Sequence, residues 1–151
     1  MNVKFISIIL AFFISVPAAT AGEIGTVSLL EKTRENVIKQ YINDLQSADA
    51  EHISELFVAK GTVVSTSRGA VDARDFFHSF LPEIESASTE LHGLFINTNS
   101  ASSYTARFHF IFNLKDGEQG EGEYIDEFIF ATNSSKLLAV YMFENLKFET
   151  K

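Results

Sequence analysis

From Thr33 to Gln46 the apolar residues Val37, Ile38, Tyr41, Ile42 and Leu45 recur at intervals of three and four, which gathers them on one side of a helix. Ser28 with Glu31 fits a capping box that would start this helix earlier. Asp49 is a good N-cap for a second, short helix burying Ile53, Leu56 and Phe57, with Lys60-Gly61 reading as its stop. Thr62 to Ser65 is then a short strand, and Ser67-Arg68-Gly69 a turn. A third helix, from Val71 or Asp72 to Leu81, would bury Phe76, Phe77 and Phe80 and end at Pro82, which cannot continue it.

Beyond Pro82 the period changes to two. Thr89 to Ile96 predicts a strand, and Asn97 to Ser103 a polar loop. Ala106, Phe108, Phe110 and Phe112 alternate with Thr105, Arg107, His109 and Ile111, giving the next strand one aromatic face. Lys115-Asp116-Gly117 turns, extended by Glu118 to Gly122, into the strand Glu123 to Phe130. There Tyr124, Asp126, Phe128 and Phe130 share a face, opposite Glu123, Ile125, Glu127 and Ile129. A carboxyl group among aromatic rings is poorly solvated, which disfavours its charged form. Such an acid is paired, held neutral as a hydrogen-bond donor, or set in a binding site. Asn133-Ser134-Ser135 turns into a last strand, Leu137 to Phe148, apolar on both faces and therefore central or covered by a partner. Helices first and a meander afterwards predict an α+β fold: three N-terminal helices packed in a strongly curved antiparallel sheet.

The N-terminus alters this picture. Lys4 precedes the uncharged apolar run Phe5 to Val16, followed by the small residues Pro17 to Ala21. This is the pattern of a secretory signal peptide with an Ala19-Thr20-Ala21 cleavage site, and the run is too short to span a bilayer comfortably. Residues 1–21 therefore read as signal peptide and 22–151 as a single domain, periplasmic or secreted, with no membrane contact after cleavage. The 151-residue chain has no internal repeat and is 46% hydrophobic, enough to bury one full core. Its formal charge of −8 argues against nucleic acid and anionic membranes as partners. Without cysteine there is no disulfide, thiol chemistry or acylation site. No metal-ligand spacing, glycine-rich phosphate loop or Gly-x-Ser-x-Gly elbow occurs, so neither metal nor cofactor is expected.

Gln40-Tyr41-Ile42, Ala48-Asp49, Leu56-Phe57, Gly61-Thr62-Val63-Val64 and Tyr124-Ile125-Asp126 follow one another in the order found in steroid delta-isomerase-like proteins. In this the chain, from about Thr33 to Phe148, resembles the nuclear transport factor 2-like superfamily, which includes the SnoaL-like polyketide cyclases. The resemblance implies a cone, formed by the curved sheet and helices around one deep, mostly apolar cavity. It also implies an oxyanion hole. Tyr41 matches the isomerase's first-helix tyrosine, and Asp126 its late-strand aspartic acid, which apolar surroundings keep protonated. The isomerase's base is an aspartate after the first strand. Ser65 stands there instead, and a lone hydroxyl cannot abstract a carbon-bound proton.

His92, in Glu90-Leu91-His92-Gly93-Leu94, is the alternative base, or else a structural histidine, because the strand parity there is ambiguous. His109 lies opposite the phenylalanine row, on a face suited to solvent or a dimer. Tyr41 reads equally as a core tyrosine, and Asp126 as a buried structural acid. Arg68, in the turn before the third helix, could meet an anionic ligand at the cavity rim, though a solvated turn arginine is the simpler reading. The expected ligand is a small apolar or aromatic molecule bearing a polar oxygen, contacted by Tyr41, Ser65, Phe57, Phe128 and Met142. The enzymatic alternative is an isomerase, cyclase or dehydratase with Tyr41 and Asp126 as oxyanion donors and His92 as base. A dimerisation module without ligand is the third reading, and a homodimer through the open sheet face is permitted.

Overall fold

The computed structural model describes residues 21–143, so the expected signal peptide up to Thr20 and the last strand beyond Phe143 lie outside the described residues. Helix α1 spans Ala21–Ser47, which puts Ser28 inside the helix and not at its N-cap. Helix α2 (Ala50–Glu55) begins at Asp49, whose side chain accepts from the His52 N–H at 2.9 Å. Strands β1 (Phe57–Ser65) and β2 (Gly69–Asp72) form a hairpin, and α3 (Ala73–Phe80) follows. Asp72 caps α3 by accepting from the N–H groups of Arg74 and Asp75. A single 3₁₀ turn, Leu81–Glu83, carries Pro82 at its start and leads into the meander β3 (Ile84–Ile96), β4 (Ser103–Leu114), β5 (Gln119–Phe130) and β6 (Leu137–Phe143).

All six strands form one sheet in the order β2-β1-β6-β5-β4-β3. It is mixed and not wholly antiparallel, because β1 lies parallel to β6. Alternation of side chains fixes a strand's faces but says nothing of its neighbour's direction, so this pairing left no mark on the pattern. The meander itself is antiparallel throughout, as its turns predict.

Lys60-Gly61 is where the expected and observed elements part. Phe57 already pairs with Leu137, and the ladder is interrupted between Phe57 and Thr62. The Phe57 side chain folds over Gly61 so closely that a Cβ there would lie 2.7 Å from that of Phe57. The glycine marks a bulge and close approach, which a helix stop resembles in sequence. Gly120, opposite Phe112 on the ladder, makes similar room: a Cβ would meet the Phe112 ring at 2.2 Å.

Further irregularities fall in β3, between Ile84 and Ser86 and between Leu91 and Gly93. Bulges bend a strand and increase its local twist. The inner face packs Val63, Phe108, Phe110, Phe128, Leu137 and Val140 against Ile38, Tyr41, Ile42 and Leu45 of α1, Ile53 of α2 and Phe77 of α3. On the outer face Phe95, Leu138, Tyr141 and Phe143 are exposed. No helix among the described residues is long and apolar enough to cross a membrane.

Candidate functional site

Asp126 lies in the middle of β5, opposite Ala106 on β4 and Met142 on β6, so its side chain enters the inner layer with theirs. It is 1% exposed. The Tyr41 hydroxyl donates to its Oδ2 at 3.3 Å, while Oδ1 is buried without a hydrogen-bond partner. Tyr41 is held edge-on between Phe77 and Phe128, with ring centroids 5.8 and 5.0 Å away, so its hydroxyl has little freedom to turn elsewhere. Burial pushes the Asp126 carboxyl up to about 7, against the opposing pull of the Tyr41 hydrogen bond. Burial likewise raises the Tyr41 hydroxyl well above its ordinary value, followed by the charge and hydrogen bond of Asp126. The pair is therefore neutral, or carries a single negative charge, near neutral pH.

In front of Asp126 is a pocket of about 340 Å³. Leu45 of α1, Phe76 and Phe80 of α3, and Phe108, Phe110 and Phe112 of β4 make its apolar walls. Tyr124 joins Asp126 from β5, Met142 comes from β6, and Ser67 with Arg68 reaches it from the β1–β2 turn. Among the described residues Asp126 is the only carboxyl group in this lining, and no histidine contributes to it.

The expected site residues separate accordingly. Asp126 and Met142 line the pocket, but Tyr41 is wholly buried behind Asp126. Phe128 packs on Tyr41, and Phe57 on Phe77 at a centroid distance of 5.9 Å; both serve the core and do not line this pocket. The Ser65 hydroxyl accepts from the Arg68 N–H at 3.1 Å and lies 3.4 Å from the Ser67 Oγ, closing the turn instead of facing a ligand.

His92 is the clearest correction. It sits at the β3 bulge and meets Glu123 Oε2 at 3.1 Å, on the face opposite Tyr124 and Asp126. His109 reaches the other oxygen of Glu123 at 3.2 Å, and the two imidazoles stack. Burial opposes ionisation of Glu123, yet the hydrogen bond and charge of His92, and then of His109, hold its carboxyl below the ordinary range. His92 is thus part of an outer-face ion-pair cluster and is not placed to act as base in the pocket.

Two buried charged residues of α1 escaped the sequence reading. Arg34, 4% exposed, donates from Nε to the Ser134 carbonyl and from its two terminal nitrogens to those of Ala101 and Ala131. Asp44 is bound by His52 Nδ1 at 2.9 Å and accepts from Gln40 Nε2 at 2.8 Å. The Asp44 hydrogen bond, with its charge, raises the His52 imidazole above its ordinary value. Both residues sit on the stripe with Ile38, Tyr41 and Leu45, and a charge on an apolar stripe was the available signal. Neither touches the pocket.

A small acid-bearing aromatic pocket on the inner face of a bulged, mixed sheet defines the class: an α+β sheet-over-helix protein. No protein-family model matches the chain, and no curated protein matches it. Solved structures do. The epoxide hydrolase/cyclase-like enzyme SalBIII of salinomycin pyran-ring formation aligns at a TM-score of 0.63 and 15% identity, over 77% of this chain and 93% of that one. A scytalone dehydratase-like protein from Novosphingobium aromaticivorans aligns at 0.60 and 16% identity, over 79% and 86%. A protein of ketosteroid isomerase-like fold from Catenulispora acidiphila, solved with trimethylamine, aligns at 0.61 and 10% identity, over 73% and 85%. The chain has the fold of the nuclear transport factor 2-like superfamily.

Proposed function

We propose that the protein is an exported, cone-shaped binding protein whose pocket takes a small apolar or aromatic molecule through a carbonyl or hydroxyl oxygen, read by Asp126. One observation carries this reading: Asp126 Oδ1 is buried and unpartnered in the wall of an aromatic pocket. A buried polar atom left without a partner costs about 1–3 kcal/mol, and a ligand oxygen would recover it. With Tyr41 donating to Oδ2, the proton of the neutral acid sits on Oδ1 as a donor. Tyr41 then acts through Asp126, and their 3.3 Å contact would shorten as the acid is polarised by the ligand. The volume is at the lower end of the usual range for ligand pockets, which favours a compact molecule.

Calorimetric titration with 2-acetylnaphthalene tests this, because a ketone accepts but cannot donate. Its affinity should fall as pH rises through about 7, where Asp126 loses its proton. Asp126→Asn, which keeps a donor, should flatten that dependence, and Asp126→Ala should weaken binding roughly tenfold at low pH. Binding independent of both pH and residue 126 would refute the reading.

A carboxyl titrating near 7 also supports a second reading, an isomerase, cyclase or dehydratase that uses Asp126 as general acid. It predicts turnover of an enolisable or dehydratable aromatic ketol that Asp126→Asn abolishes and His92→Ala leaves intact. Export through residues 1–21 rests on the N-terminal pattern, and cell fractionation checks it. The exposed Phe95, Tyr141 and Phe143 favour a homodimer through the outer face, readable by sedimentation.

A further inference from the structure

We infer that the pocket selects a carboxylic acid: a flat apolar molecule with its ketone or hydroxyl oxygen at Asp126 and a carboxylate at Arg68 on the rim. This rests on the proposed reading of Asp126 and adds the second point of attachment. Arg68 and Asp126 line the same pocket, one exposed and the other buried, so they mark its mouth and its depth. The Arg68 guanidinium lies over the Phe76 ring, 5.2 Å from its centroid, and Phe76 is itself a wall of the pocket. Its Nη1 donates to Ser79 Oγ at 2.7 Å, while its backbone N–H is held by Ser65 Oγ. The hairpin closes on the Ser65–Gly69 pair, which fixes the turn from which the side chain springs. Root, plane and one terminal nitrogen are therefore set before a ligand arrives, and that lowers the ordering loss on binding.

What Arg68 lacks is an acidic partner. Among the described residues no carboxylate forms an ion pair with it, although the chain has 20 acidic residues. Arg74, also exposed, is by contrast held by both oxygens of Glu51 at 2.8 Å. A guanidinium has five donors in a planar fork that suits a carboxylate, and one shielded on an aromatic face pairs more strongly than one in open water.

The test compares 2-acetylnaphthalene with 6-acetyl-2-naphthoate, which adds only the carboxylate, by calorimetry at about pH 6, where the added group is ionised. The acid should bind roughly fivefold tighter than the ketone, and raising salt should shrink the difference. Arg68→Gln should bring the two ligands to equal affinity, and Ser79→Ala, which frees the fork but keeps the charge, should weaken the preference partially. Equal affinity for the two ligands would overturn the inference and leave the Asp126 reading standing. Arg68-dependent binding that ignores Asp126→Ala would instead overturn the reading and with it the two-point ligand. Failure of both ligands to bind would overturn both.

Discussion

At the residue scale, Asp126 links a sequence pattern to an energy. Period-two alternation places it among Tyr124, Phe128 and Phe130, and burial then raises its carboxyl from 3.8 to about 7. The sign follows directly. Below the unfolded value both states are protonated, and Asp126 costs nothing for its charge. Between that value and about 7 the unfolded chain ionises while the fold does not, so stability falls as pH rises through this window. The full shift corresponds to on the order of 4 kcal/mol at about 1.4 kcal/mol per unit. Asp126→Asn should remove this contribution: urea denaturation would show it gaining on the wild type from pH ~5 to ~8 by a few kcal/mol. An unchanged difference across that window would mean that the acid is solvated. Asp126 was legible because an unbroken strand keeps its parity. His92 was not, because the bulge between Leu91 and Gly93 breaks the alternation just where its face had to be read.

At the element scale, helix ends and bulges use the same residue types, and this limits what a sequence can say about boundaries. Asp49 declares itself as an N-cap because a side-chain oxygen has one thing to do there, whereas Asp72, which caps α3 in the same way, reads in the sequence only as a possible helix start. Gly61 is ambiguous, since a bulge needs a missing Cβ as much as a helix stop does. The end of α1 shows the opposite case. Asp49 N–H bonds to the Asp44 carbonyl at 3.0 Å and Ala48 N–H to that of Leu45 at 3.3 Å, the two bonds of a Schellman motif. The left-handed residue in it is Ala48, with φ 54°, where glycine is usual. A Cβ in that conformation costs about 1–2 kcal/mol. Ala48→Gly should relieve part of it and stabilise the fold by about 0.5–1 kcal/mol, offset by the methyl's partial packing on the core. Thermal denaturation would register this as a rise of several degrees, and a fall would mean that the methyl contact dominates.

At the scale of the whole molecule, three helices followed by a meander were readable, and so was the aromatic inner face that becomes the pocket, but not strand β2, whose four residues carry too little alternation to tell from a turn and a helix start. The parallel docking of β1 on β6 was not, because it depends on which edge is left open once the meander has formed. Closure of the end of the fold away from local pairing was equally hidden, and there Arg34 acts. From α1 it reaches the Ala101 carbonyl in the β3–β4 loop and those of Ala131 and Ser134 in the β5–β6 loop. Its guanidinium also lies over Phe130, 5.2 Å from the ring centroid. One helix side chain thus ties down two loops distant in sequence. Among the described residues no carboxylate pairs with it, and its donors go to backbone carbonyls. Arg34→Met keeps much of the volume and removes every donor. The Ala101 and Ser134 carbonyls are then orphaned at about 1 kcal/mol each, while that of Ala131 keeps the Ser134 N–H, and relief of the buried charge returns some of the cost, so a net loss of about 1–2 kcal/mol is expected. The location of the loss matters more than its size. In hydrogen exchange, amides of 97–103 and 131–136 should open well before those of β4 and β5 in the variant, while they share the protection of the sheet in the wild type. Arg34→Lys, with a single point charge, should recover only a fraction. Uniform loss of protection across the sheet would instead assign Arg34 to the core as a whole and deny it a particular hold on the two loops.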